Sequence, residues 1–368
     1  MNSHASLALI VPNVNPGGTE RVCQRIANYL NDAGYSVVVI SMANNDFPYD
    51  LECSYEKLDR GKAGNWPQRF YSRMTALNSV LESYQVSAVL SMGEYVNFLV
   101  SCLPRKYHRI NRYTNSSVSL AGFRGQLTKL AMRFAFQRTD ATIVPVFRLA
   151  AELGLNPVRG KVIEMPNPVD VGEIRRMGLH EPKDAEVSAV PFFLHVGQLV
   201  EQKDHDFLLH AYESYTKTGG KSRLLLIGQG EYEQKIRDIV KALNLDDMVF
   251  LLGWDENPLA YMHRARALLL TSKWEGIPNV MIESMALGCP VISTDCPTGP
   301  REVLDSGNFG RLVPMNDLAA FVDEMSRMDT DEVWRDEWVR RARERADYFD
   351  MVTLGPKLCE ILSVQHMN

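Results

Sequence analysis

Residues 267–294 read Ala267-Leu268-Leu269-Leu270-Thr271, then Ser272-Lys273-Trp274-Glu275-Gly276-Ile277-Pro278-Asn279, then Val280-Met281-Ile282-Glu283-Ser284-Met285-Ala286-Leu287-Gly288, and after Cys289-Pro290 close on Val291-Ile292-Ser293-Thr294. The first and last runs are short and aliphatic, bounded by turn residues, and read as strands. Between them Pro278 suits the first turn of a helix and Gly288 its C-terminal cap. A strand that returns to a second strand through a helix makes a parallel pair covered by that helix. In such sheets ligands bind beyond the carboxyl ends of the strands, which is where Glu275 and Gly276 fall.

Outward from this unit the same alternation recurs. Strand-like runs occur at Leu7 to Val14, Ser36 to Ser41, Ala88 to Ser91, Ala141 to Val146, Phe192 to Val196, Leu224 to Ile227 and Val249 to Leu252. Helical periodicity occupies Arg21 to Asn31, Arg69 to Tyr84, Leu127 to Gln137, Phe207 to Tyr215, Glu231 to Leu243 and Leu318 to Met328. The class is α/β, and nine or more strands split into two doubly wound units. The Pro-rich segment Met165-Pro166-Asn167-Pro168-Val169-Asp170 is the expected joint. The expected domains are therefore 1–168 and 169–368, with a last helix at about 350–364 that crosses back onto the first. The expected site lies in the cleft between them.

Composition bounds the function. The chain has 368 residues, 45% hydrophobic and 23% charged, with a net charge of −5, which suits two domains that each bury a core without staples. No apolar run approaches the ~20 residues a membrane-spanning helix needs. Met1-Asn2-Ser3-His4 lacks the basic start of a signal peptide, so a cytoplasmic protein is expected. The six cysteines are scattered, form no C-x-x-C pair and are expected to be reduced, mostly buried thiols without a zinc site. Charge is uneven: residues 101–161 hold eleven Lys or Arg against Asp140 and Glu152. A face of that sign meets phosphate or anionic lipid, or is merely solvated.

Several turns after strands carry chemistry. Pro16-Gly17-Gly18-Thr19-Glu20-Arg21 opens a helix whose free N–H groups would suit an anion, although a tight turn without ligand has the same residues. Gly228-Gln229-Gly230 and the Gly17-Gly18 turn both lack the G-x-G-x-x-G spacing, which disfavours a nicotinamide cofactor. Val196-Gly197-Gln198-Leu199 precedes Glu201-Gln202-Lys203-Asp204, placing Lys203 where a cation reaches a diphosphate. Cys296-Pro297-Thr298-Gly299-Pro300-Arg301-Glu302 opens another helix after a strand. Glu283 stands in an otherwise apolar helix, where a carboxylate needs donors such as vicinal sugar hydroxyls. Of the D-x-D runs, Asp329-Thr330-Asp331 reads as a helix cap rather than a metal site.

Taken together, Glu275 and Glu283 at E-x7-E spacing in a Glu-Gly-x-Pro-Asn context, the Val-Gly-x-Leu…Gln-Lys element, Asn167-Pro168-Val169-Asp170 and the N-terminal Gly-Gly-x-Glu-Arg resemble the retaining glycosyltransferases of family 4. The resemblance is specific from Phe193 to Pro314 and loose before Val162. It implies the GT-B fold, two Rossmann-like domains facing across a cleft, the first binding the acceptor and the second the nucleotide-sugar donor. It implies Glu283 on the donor ribose, Glu275 on the transferred sugar and Lys203 on the diphosphate. The remaining donor contacts would come from Gly17, Gly18, Gly197, Gln198, Gly276, Ile277, Pro278, Asn279 and Val280. Gln198 stands where many members carry Arg, so Arg301 or Arg112 is the candidate for the missing charge. Arg112, in Asn111-Arg112-Tyr113-Thr114-Asn115, resembles the Arg some members carry after this strand, and the His many carry beside the reacting sugar has no assigned counterpart.

The implied reaction moves a hexose or N-acetylhexosamine from a nucleoside diphosphate sugar, by family expectation a UDP-sugar, with retention through front-face attack. No cofactor or metal is expected, because Lys203 and helix N-termini meet the charge on the leaving diphosphate. Arg124, Lys129 and Arg133, set among Leu, Met and Phe of residues 123–138, suit an anionic membrane surface, or else form the polar edge of a core helix. A lipid diphosphate-linked sugar is then the expected acceptor, in assembly of a surface polysaccharide or lipopolysaccharide, and the enzyme is expected at the inner face of the cell membrane, with no nucleic-acid partner. A nucleotide-sugar 2-epimerase of the same architecture is the alternative; an oxidoreductase lacks its fingerprint, and an exported sugar-binding protein lacks its signal peptide.

Overall fold

The computed structural model describes residues 6–12, 18–43, 45–58, 65–113, 122–155 and 161–363. The chain divides into two units, Met1–Pro168 with Met351–Asn368, and Val169–Asp350. In the first, seven strands form one sheet: β1 Ser6–Val11, β2 Ser36–Ser41, β3 Ser54–Lys57, β4 Ala88–Met92, β5 His108–Arg112, β6 Ala141–Val144 and β7 Val162–Glu164, in the order β3-β2-β1-β4-β5-β6-β7. In the second, β8 Phe192–Val196, β9 Arg223–Ile227, β10 Val249–Gly253, β11 Leu268–Leu270, β12 Val291–Thr294 and β13 Arg311–Val313 run in the order β10-β9-β8-β11-β12-β13. Every ladder is parallel.

Helices cover both faces of the first sheet, and the strand period shows it. Leu7, Leu9 and Val11 of β1 enter one core layer with Val22 and Ile26, while Ala8 and Ile10 enter the other with Leu77 and Leu99. Alternate side chains point to opposite faces, so a strand buried on both must be apolar throughout. The helix Met351–Ser363 completes the first layer with Leu358, Ile361 and Leu362. The second unit has its own core around Phe193, Leu208, Leu226, Leu269 and Phe321. The two crossings of the chain lie side by side, Val169 N–H donating to Phe349 O at 2.9 Å.

Four strands are too short or too polar to read as apolar runs in the sequence. β3 is Ser-Tyr-Glu-Lys and β13 is Arg-Leu-Val, both at sheet edges; β7 is three residues long. β5, His108-Arg109-Ile110-Asn111-Arg112, is interior and largely buried despite its polarity. It is stabilised by tertiary partners: Ser91 Oγ donates to Asn111 Oδ1 at 3.1 Å, and Arg112 reaches Pro166 O and Asn167 Oδ1. The structure starts Trp66–Ser83 and Gly18–Asp32 ahead of the periodic stretches, the former at the capping box of Asn65 and Gln68.

Candidate active site

In each sheet the order reverses once, at β1/β4 and at β8/β11, and the loops leaving the carboxyl ends of such strands diverge to open a crevice. In the second unit the loop after β8 ends in the turn Glu201–Lys203, and the loop after β11 carries residues 271–278. Adjacent strands place them in contact. Lys203 Nζ donates to Glu275 Oε1 at 2.5 Å, Ser272 Oγ donates to the same oxygen at 2.6 Å, and Gln202 Nε2 donates to Trp274 O at 2.7 Å. Glu275 is 6% exposed. A carboxylate so enclosed is tolerable only because a cation and a hydroxyl satisfy it. Thr271 Oγ1 donates in turn to Lys203 O at 2.8 Å, tying the two loops at their bases.

Two glycines shape this cluster. Gly228 (φ +148°) lies so close to the loop after β8 that a Cβ would fall 1.8 Å from Gly197 O, so its smallness serves backbone packing and not a dinucleotide. At Gly299 (φ +97°) a Cβ would fall 2.2 Å from Gly276 O, and Thr298 Oγ1 donates to Glu275 O at 2.5 Å. The Thr298-Gly299 turn therefore braces the Glu275-Gly276 loop from the side of β12.

Beneath Lys203 lie two histidines that the sequence reading passed over. His195 on β8 and His205, the first residue of the helix His205–Lys217, are both buried, their rings 4.8 Å apart and edge to face. His195 Nδ1 lies 2.9 Å from Leu269 O of β11. Burial, the neighbouring His205 and Lys203 hold His195 well below the usual imidazole range; burial and Lys203 bring His205 to about 4. The signal in the sequence for His195 was an ionisable residue in an otherwise apolar strand.

The other expected residues are distributed as follows. Gly197 touches the Lys203 stem and Gln198 is exposed, while Ile277 and Pro278 are buried in the loop. Helix Asn279–Ala286 buries Met281, Ile282, Ser284, Met285 and Ala286, whereas Asn279, Val280 and Glu283 share its half-exposed face. The sequence made this helix look apolar all round; Glu283 instead sits on a partly solvated stripe, because positions 279, 280 and 283 recur at helical spacing. Gly17 lies outside the described residues; Gly18 begins the helix Gly18–Asp32, and burial raises the Glu20 carboxyl above its usual range. Arg112, in the first unit, is fully enclosed, its guanidinium on Pro166 O at 3.1 Å and Asn167 Oδ1 at 2.9 Å, and burial lowers it to about 10. Arg301 pairs with Asp295, and the His108 ring lies 3.3 Å from Ile361 O. Asp331 caps the helix Glu332–Ala346 by accepting from Trp334 N–H at 2.9 Å, while Asp329 accepts from the Tyr215 and Ser222 hydroxyls. The D-x-D is structural. All six cysteines are free, three of them buried.

Residues 180–345 match the family profile described as Glycosyl transferases group 1. Among curated relatives, an uncharacterized glycosyltransferase of Methanocaldococcus jannaschii is 27% identical over 65% of this chain and 63% of its own length. The N-acetylgalactosamine-N,N'-diacetylbacillosaminyl-diphospho-undecaprenol 4-alpha-N-acetylgalactosaminyltransferase of Campylobacter jejuni is 27% identical over 95% of this chain and 97% of its own. Among solved structures, Anabaena HepE in complex with UDP and glucose superposes with a TM-score of 0.81 at 17% identity, over 98% of this chain and 100% of HepE. The architecture is GT-B, two parallel α/β units. The protein is a glycosyltransferase.

The histidine pair sets a pH dependence. Between about pH 4 and 6.5 the unfolded chain protonates His205 and the folded chain does not, so stability falls as pH falls through that window, by about 1.4 kcal/mol per pH unit at most for this group. Chemical denaturation of the protein and of His205→Gln at pH 7 and pH 5 is expected to show a shallower loss in the variant.

Proposed function

We propose that this protein is a retaining glycosyltransferase that moves a hexose or N-acetylhexosamine from a UDP-sugar to a lipid diphosphate-linked sugar, in assembly of a surface polysaccharide or lipopolysaccharide. The observation that carries this reading is the buried Lys203–Glu275 contact at the strand reversal of the second unit. It sets a cation and a carboxylate side by side, at the carboxyl ends of adjacent strands, where a diphosphate and a sugar hydroxyl need opposite partners. Residues 169–350 would bind the donor and residues 1–168 the acceptor.

In this reading the Lys203 ammonium, which has three N–H donors, keeps one on Glu275 and turns the others to the diphosphate. As the anomeric bond lengthens, negative charge grows on the leaving diphosphate, and a fixed ammonium in a loop with little solvent meets it without reorganisation. Glu275 accepts from hydroxyls of the transferred sugar, and backbone groups of Gly276, Ile277, Pro278, Asn279 and Val280 line it. Glu283, on the open stripe of its helix, accepts from the ribose hydroxyls. Gly197 and Gln198 flank the phosphates, and Gly17 and Gly18 are the donor contacts expected from the first unit. Arg112 acts as a buried cation that holds the Pro166-Asn167 joint, and also supplies positive potential. Retention follows from attack by the acceptor hydroxyl on the face the diphosphate leaves. Lys203 takes the electrostatic part a metal plays elsewhere, so turnover needs no divalent ion.

The acceptor assignment is supported by the Campylobacter relative, whose name includes a diphospho-undecaprenol-linked sugar, and by the helix Gly122–Arg138. Its solvent face presents Leu127, Leu130 and Phe134, 53%, 66% and 40% exposed, together with Arg133 and Arg138; Lys129 sits at the margin. Apolar side chains ringed by cations fit the plane of an anionic bilayer better than open water. The Arg124 side chain lies outside those described. No helix among the described residues is long and apolar enough to cross a membrane, so attachment at the inner face would be peripheral.

Four measurements test the reading. Glu283→Gln should leave the melting temperature nearly unchanged and weaken UDP binding roughly tenfold, the loss of one charge-assisted hydrogen bond. Lys203→Ala should lower both the melting temperature and UDP binding, since it strands Glu275 without its cation; adding Glu275→Gln should recover stability but not binding. Unchanged UDP affinity in both single variants would remove the site. EDTA should leave transfer intact, and loss of activity that Mg²⁺ restores would show that Lys203 is not sufficient. Replacing Arg124, Lys129 and Arg133 with Gln should reduce binding to anionic vesicles, each cation contributing about 1 kcal/mol at low salt; wild-type protein that ignores such vesicles would point to a soluble acceptor. Isomerisation of a UDP-sugar without acceptor would give the epimerase reading instead.

A further inference from the structure

The second sheet has another end. Residues 188–191, 263–266 and 287–290 lead into β8, β11 and β12 and so lie at the amino ends of the strands whose carboxyl ends carry Lys203 and Glu275. Helix Glu332–Ala346 lies against them, presenting Arg335, Val339 and Arg343 at successive i+4 positions of one face. Together they line a cavity of about 430 Å³ into which Arg264, Arg266, Arg335 and Arg343 converge beside His263.

Two of the four guanidiniums are spent on the fold. Arg264 donates to Ala260 O, His180 O and the Glu181 carboxylate; Arg335 donates to Met328 O, Asp329 O and Glu332. The Glu181 and Glu332 side chains are 81% and 77% exposed, so their charge is directed to solvent. Arg266 lies 3.9 Å from Asp329, whose carboxylate already accepts two hydroxyls, and its buried Nε has no hydrogen-bond partner among the described residues. Arg343 makes no hydrogen bond or ion pair among the described residues. Its guanidinium rests on Gly288 (φ +76°), where a Cβ would come within 2.5 Å of Nε. Local potential is positive enough to act on a neighbour: after burial, Arg264 and Arg343 hold His263 below the usual imidazole range.

We propose that this cavity binds a phosphate-bearing small molecule, with Arg343 and Arg266 meeting the phosphate, at the end of the sheet opposite the Lys203–Glu275 cluster. A guanidinium offers its N–H groups as a planar fork that matches two phosphate oxygens; Arg343, which has no carboxylate partner among the described residues, and Arg266, held only at 3.9 Å from Asp329, together suit a dianion. The volume exceeds that of a bare ion and falls within the range of small-molecule sites, so the phosphate is carried on an organic group. Five strand residues, about 16 Å, separate the two ends. The site therefore does not depend on the donor reading, and occupant and donor would not compete.

The test uses inorganic pyrophosphate and glucose 6-phosphate as soluble probes, and vesicles containing phosphatidic acid as the lipid source of the same chemistry. Calorimetric titration of the full chain is expected to show binding of a soluble probe, at least tenfold weaker in Arg343→Gln and retained in Lys203→Ala, with UDP binding unaltered in Arg343→Gln. The His263 resonance should titrate at higher pH when the probe is bound, since a dianion cancels the two cations facing it. Binding to vesicles alone, lost in Arg343→Gln, would support the site and place the phosphate on a lipid headgroup. No binding of any probe at millimolar concentration, or binding that Arg343→Gln leaves unchanged, overturns the proposal.

Discussion

The second unit is organised around one constraint, the adjacency of β8 and β11 where the strand order reverses. Because the loops from these strands leave side by side, a lysine seven residues beyond β8 meets a glutamate five residues beyond β11, although 72 positions separate them in the chain. The pair is enclosed, so each partner makes the other tolerable, and a loop that lost one would retain an uncompensated charge. Ser272, Thr271, Gln202 and the Thr298-Gly299 turn are all spent on keeping that geometry. Flexible loops are thereby turned into a rigid platform at the mouth of a parallel sheet.

The same sheet explains the uneven use of charge. At its carboxyl end cations and acids are matched, and the Lys203–Glu275 pair is enclosed. At its amino end four arginines gather with fewer acids; Glu181 and Glu332 face solvent, and the enclosed Asp329 already accepts two hydroxyls. Between the two ends the buried strand residues are mostly apolar, with His195, Ser293 and Thr294 the polar ones. The His195 ring is kept neutral by burial and by the lysine above it, so it fills space and bonds across to β11 without adding charge.

Legibility in the sequence followed the physics of each element. Strands buried on both faces, such as β1, β2, β8 and β9, are continuous apolar runs and were plain to read. β5 was not, since His108-Arg109-Ile110-Asn111-Arg112 is buried by virtue of hydrogen bonds to Ser91, Pro166 and Asn167, partners that only folding brings near. Glu275 and Lys203 were legible because they stand in turns directly after strands. The exposure of Glu283 was misjudged, since a helix of eight residues with one solvated stripe has too few turns to display its pattern. Arg301 and Arg112 both looked available as cations, and each had a partner the chain order does not show.

By itself, the sequence determined the alternation of strands and helices, hence the parallel α/β class, and the positions of the chemically active turns relative to strand ends. Those are local properties, set by hydrophobic period and by turn residues. Tertiary structure alone decided which strands are neighbours, and so which turns meet. It closed the Lys203–Glu275 contact, buried the His195–His205 pair beneath it, sent the helix Met351–Ser363 back into the first core, and drew Arg266 and Arg343 to one cavity from 77 residues apart. Burial and charge pairing depend on distance in space, and sequence separation carries no measure of it.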